Sequence, residues 1–99
     1  MAAATIVAVA QGWAGDRKRH LVGLTLGSTN ADTVTPASVG LQRIEAVVDA
    51  GLRTGAPKVN GTTITLTDHG TGPYIAWTNT VVTITVQTAG TSLMYFYGW

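Results

Sequence analysis

The chain has 99 residues, a net charge of +1 and only 11% charged residues. That length makes one domain, and so little charge excludes a polybasic binder that works by neutralising many nucleic-acid phosphates. The 45% hydrophobic content excludes intrinsic disorder, and the absence of cysteine excludes disulfide scaffolds, thiolate metal sites and cysteine nucleophiles.

Thr, Val and Ile together make 33 residues, a third of the chain. Their branched side chains suit a pleated, half-buried surface. Met1 to Ala10 imitates a secretory signal, with Ala8-Val9-Ala10 in place of a cleavage site. The cations Arg17, Lys18 and Arg19 follow the apolar run instead of preceding it, so the segment reads as a first strand. No stretch approaches the roughly 18 apolar residues that cross a membrane as a helix, and no membrane partner is expected.

In chain order, Ala4 to Trp13 is short and apolar, which favours a strand, and Gly15 to Lys18 is a polar turn. Arg19 to Ser28 alternates, with Val22, Leu24 and Leu26 on one face, and pairs with the first run as a hairpin. Ser28 to Thr33 is loop chemistry. Thr35 and Pro36 look like the N-cap and first position of one or two helical turns. A strand follows over about Arg43 to Asp49, with Ile44, Ala46 and Val48 on one face and Arg43, Glu45 and Asp49 on the other.

Gly55 and Pro57 make the stretch from Leu52 to Val59 an edge or a loop. Asn60-Gly61 is the strongest hairpin signal in the chain. Thr62 to Asp68 alternates with Ile64 and Leu66 inward, and Thr80 to Thr88 with Val82, Ile84 and Val86 inward. These five residues are expected to lie close together in the core. Asp68 to Pro73 is a turn, Tyr74 to Trp77 a short strand, Ala89 to Thr91 a turn and Ser92 to Trp99 the last strand. The expected fold is a single all-β domain over residues 1–99, an antiparallel β-sandwich or small barrel of about seven strands with at most one short helix.

Nothing in this pattern carries catalysis. Asp68-His69 resembles half of a hydrolytic dyad, but no spacing supplies a nucleophile or an oxyanion hole, and a solvated turn explains the pair. His20 and His69 are separated by strands and loops with no carboxylate cluster, so no metal site is expected. The carboxylates Asp16, Asp32, Glu45, Asp49 and Asp68 are scattered, and Gly70-Thr71-Gly72 is too short for a dinucleotide loop. Asn60-Gly61-Thr62 matches a glycosylation sequon that the hairpin turn already explains. No cofactor is expected, and the chain reads as a non-enzyme.

Two clusters remain. Asp16 to His20 is the one charge cluster, either a solvated turn or a docking patch for an acidic surface. The last strand places Tyr95 and Tyr97 on one face and Phe96 on the other, with Trp13, Trp77 and Trp99 completing the aromatic set. Large side chains on both faces suggest one face packed inside and the other covered by a second subunit or used as a stacking platform. A homo-oligomer is expected, with Leu93, Tyr95, Phe96, Tyr97 and Trp99 of the last strand and Ile6 of the first at its interface.

The early strand, the run Thr35-Pro36-Ala37-Ser38-Val39-Gly40-Leu41-Gln42-Arg43-Ile44, the alternation Thr83-Ile84-Thr85-Val86-Gln87 and the closing Thr88-Ala89-Gly90-Thr91-Ser92-Leu93-Met94-Tyr95-Phe96-Tyr97-Gly98 resemble one group of proteins. These are the small Thr/Gly-rich β proteins of tailed-bacteriophage virions, most of all capsid cement or decoration proteins. The resemblance is one of architecture over most of the chain, without a diagnostic residue. It implies an oligomer, often a trimer, on the outer capsid surface of a virion assembled in the host bacterial cytoplasm. There it would bind across neighbouring major capsid protein subunits and stabilise the head, with Arg17, Lys18 and Arg19 as capsid-docking residues. The alternatives are a carbohydrate-binding β module that stacks sugars on its Trp and Tyr rings, and another phage structural protein of the tail or head-tail joint.

Overall fold

The computed structural model describes residues 2–27, 32–51, 54–67, 74–77, 81–86 and 89–99. Its elements are β-strands with one turn of 3-10 helix over Pro36–Val39. The expected all-β fold with a short helix is therefore correct.

Two sheets face each other. The larger orders β2 (Thr5–Ala10), β4 (Arg17–Leu26), β11 (Gly90–Gly98) and β6 (Ile44–Asp49), and β3 (Trp13–Ala14) pairs with the start of β4. The smaller orders β1 (Ala2–Ala3), β5 (Asp32–Val34), β10 (Val82–Thr85) and β9 (Tyr74–Trp77). All pairings are antiparallel except that of β1 with β5, which is parallel. Ala4 links β1 to β2, so the first strands run from one sheet into the other.

The main core fills the space between the sheets. Val22, Leu24 and Leu26 from β4, Met94 and Phe96 from β11, and Ile44 and Val47 from β6 meet Val34, Val82, Ile84 and Val86 there. Val39 and Leu41 close one side. The 3-10 turn starts at Pro36, as its fixed φ favours, and Gly40 ends it at φ 78°, a left-handed value natural to glycine. Thr35 makes no side-chain cap, contrary to expectation; instead the Ser38 hydroxyl donates to the Thr35 carbonyl at 2.7 Å.

A second, smaller core lies on the other face of the large sheet. Hairpin strands β7 (Lys58–Val59) and β8 (Thr62–Thr63) turn at Asn60 and Gly61, with φ of 49° and 81°, both positive as a type I′ turn requires. This hairpin and the residues after it lay Val59, Ile64 and Leu66 over Leu93, Ala8 and Leu21. Backbone N–H groups of Ile64, Leu66 and Thr67 donate to the carbonyls of Pro57, Gly55 and Thr91. The expected facing of Ile64 and Leu66 holds, but the regular strand ends at Thr63.

Three further expectations are corrected. Ile64 and Leu66 do not share a core with Val82, Ile84 and Val86, because the large sheet stands between the two groups. Gly90 and Thr91 belong to β11 and not to a turn. In β6 the buried residues are Ile44 and Val47, while Val48 is 50% exposed. The register slips between Tyr97 and Gly98, so that Tyr97 faces Ala46 and Gly98 faces Ile44, leaving Glu45 as an extra residue. A bulge of this kind reverses the facing of everything on one side of it. Edge strand β2 does the same at Val7, between Ile6 and Ala8. The Asp68-His69 and Gly70-Thr71-Gly72 readings lie outside the described residues, as does the side chain of Trp77.

Candidate interaction face on the large sheet

Cross-strand partners in a sheet point the same way. On the outer face, Ala8, Gly23 and Leu93 form one row, Ala10, Leu21, Tyr95 and Val48 the next, and Arg19, Tyr97 and Ala46 a third. The hairpin residues Ile64 and Leu66 cover the first row. Leu21 still packs against that hairpin core, and beyond it the face is open: Val48 and Arg19 are exposed, and Tyr95, Tyr97 and Ala46 are half-buried.

The end of this face is tied by Glu45. Its Oε1 accepts from the Trp99 indole N–H at 2.6 Å, and its Oε2 lies 3.2 Å from Nε of Arg17. Nε of Arg43 is 3.9 Å from Oε1. The bulge that makes Glu45 the extra residue thus brings a carboxylate to where β4 begins and β11 ends. Arg19 sits over the Tyr95 ring, 5.3 Å from its centroid, a cation–π distance. Among the described residues Arg19 has no carboxylate partner.

The expected site residues therefore divide. Tyr95, Tyr97 and Arg19 share the open face, and Trp99 and Arg17 meet at its end through Glu45. Leu93 and Phe96 are 3% and 0% exposed, each sealed in one of the chain's own cores, so neither offers surface to a second subunit. Ile6 packs against the main core, and its neighbour Val7 is the exposed residue of β2. Arg17, Lys18 and Arg19 do not form one patch, because alternation turns Lys18 to the opposite face with His20. Trp13 and Trp99 form no single platform either: Trp13 stands opposite Lys18 in the ladder, whereas the Trp99 indole is bonded to Glu45.

Val48 and Glu45 were missed by the sequence reading. Their signal is Gly98, a glycine inside a strand, which often marks a bulge in the neighbouring chain. A Cβ at Gly98 would collide with the Arg43 carbonyl oxygen.

Among the described residues no group of His, Asp and Glu is placed to hold a metal ion. No helix among the described residues is long and apolar enough to cross a membrane. The chain matches no family model, no curated protein and no solved structure.

Proposed function

We propose that this is a non-enzymatic structural protein of a tailed-phage virion, a capsid cement that assembles with copies of itself and binds across major capsid protein subunits. The observation that supports association is the open part of the large sheet, where Tyr95, Tyr97, Val48 and Arg19 stand together. Tyr, Trp and Arg with little other charge is the composition of interface centres. The fold covers the Leu93 side of this face with its own hairpin and leaves the Val48 side bare. In this reading the bare side meets a second copy, in a trimer as the resemblance implies. The β3–β4 hairpin, carrying Arg17 and Lys18, meets the capsid. The capsid assignment itself rests on the sequence resemblance.

Light scattering on the purified protein tests the assembly. A trimer that the Val48→Lys/Tyr97→Asp variant reduces to monomers is the expected result, and a monomer at micromolar concentration overturns the assembly. Co-sedimentation with purified phage heads lacking the protein tests the capsid role. Arg17→Ala/Lys18→Ala should weaken that binding and leave the oligomer intact. Retention of the isolated protein on neutral glycan resins through Tyr97 and Trp99, without binding to heads, would favour the carbohydrate-module alternative.

A further inference from the structure

On the face opposite Tyr97, an open cleft of about 290 Å³ is lined by Gln11, Gly12, Trp13, Lys18 and His20. Its floor is rigid. His20 is 2% exposed, and its Nδ1 lies 2.8 Å from the Val39 carbonyl oxygen. A carbonyl only accepts, so Nδ1 carries a proton and donates to it, which leaves Nε2 for a ligand. Nε2 has no partner among the described residues. A Cβ at Gly40 would lie 3.4 Å from His20 Cε1 and 3.6 Å from Gln11 Nε2, so the left-handed end of the 3-10 turn leaves room for both side chains. Gly12 is held by its carbonyl, which accepts from the Arg19 N–H at 2.9 Å.

The walls differ from the floor. Trp13 is 64% exposed, an indole presented to solvent beside a concave polar surface. Among the described residues Lys18 pairs with no carboxylate and no carboxylate lines the cleft. An aromatic plane, an amide that both donates and accepts, a fixed imidazole nitrogen and the Lys18 ammonium make a specific combination. The plane suits the C–H face of a pyranose, the amide and imidazole suit adjacent hydroxyls, and the ammonium suits a carboxylate. The volume is below the range typical of drug-sized ligands and admits about one ring.

We infer that this cleft binds one residue of an acidic sugar, a uronic acid, either free or as part of an anionic polysaccharide. The site is separate from the association face; it shares Lys18 with the hairpin that the proposed function sets against the capsid, so it is tested on the isolated protein, where its outcome is independent of that role.

The test is a titration of the ¹⁵N-labelled protein with glucuronate, glucose and N-acetylglutamate, followed by amide and indole N–H shifts. Glucuronate should shift Trp13, Lys18 and Gln11 with a dissociation constant of about 1–10 mM, as expected of a single small ring. Glucose should bind about tenfold more weakly, having lost the charge-assisted hydrogen bond. Lys18→Gln should bring glucuronate down to the level of glucose, Trp13→Ala should weaken both sugars, and Lys58→Gln, on the hairpin strand β7, should change neither. A glucuronate-bearing oligosaccharide that binds more tightly than the monomer assigns the polysaccharide as the source; equal affinity assigns the free sugar. The inference is overturned by an absence of saturable shifts in the unmodified protein, by equal affinity for glucose, or by N-acetylglutamate binding as well as glucuronate. The last result would mark a site for acidic side chains of a partner protein.

Discussion

Ile64 packs directly onto the main chain of Gly23: a Cβ at Gly23 would stand 2.8 Å from Ile64 Cδ1 and 3.0 Å from Cγ1. This contact seats the hairpin arm on the outer face of the large sheet, because only a strand position without a side chain lets a branched residue from another layer come so near. It also decides which part of the face is covered and which is bare.

Gly23→Ala should therefore destabilise the protein by about 1–3 kcal/mol, the usual cost of overpacking a filled core. In an Ile64→Ala background the same change should cost less, since the obstructing branches are gone. Urea melts of the four proteins in the cycle check the coupling. Additive losses would show that Ile64 does not press on Gly23.

Gly98→Ala should cost more than Gly23→Ala, above about 3 kcal/mol. The atom in its way is the Arg43 carbonyl oxygen, part of the main chain, and not the end of a side chain that can rotate. The same carbonyl accepts from the Trp99 N–H at 3.1 Å, so displacing it loosens the end of the sheet as well. Thermal melts of the two variants side by side give the order.

Ile84→Ala should cost about 2–5 kcal/mol, because Ile84 is fully enclosed between the sheets. Val48→Ala should change monomer stability by no more than about 0.5 kcal/mol, because Val48 is half exposed. A large loss at Val48 in denaturant melts would restore the unbulged facing of β6.

Arg17→Ala should cost at most about 1 kcal/mol, since its side chain is 52% exposed and solvent screens its contact with Glu45. Glu45→Ala should cost more, because Glu45 is only 19% exposed at its side chain and also receives the Trp99 indole N–H at 2.6 Å. Indole N–H exchange at Trp99 should quicken in Glu45→Ala and stay slow in Arg17→Ala.

Much of the fold was legible in the order of residues. Val22, Leu24 and Leu26, and again Val82, Ile84 and Val86, alternate without interruption, and each set is buried as its period of two requires. The Asn60-Gly61 turn and the Pro36 start of the 3-10 turn also declared themselves, because their dihedral angles are local properties of those residues. What alternation along one strand cannot carry is a change in its partner's register. The bulge opposite Gly98 moved Val48 outward and Val47 inward, and set Glu45 beside Arg17 and Trp99. Nor can a strand state which layer covers it: Leu93 and Tyr95 point the same way from β11, yet Leu93 lies under Ile64 and Tyr95 lies open beneath Arg19. Local residue chemistry alone determined that this chain is a β protein with these turns. Packing between segments far apart in sequence decided which of its aromatic and charged residues reach the surface, because burial depends on what the rest of the chain lays across each strand.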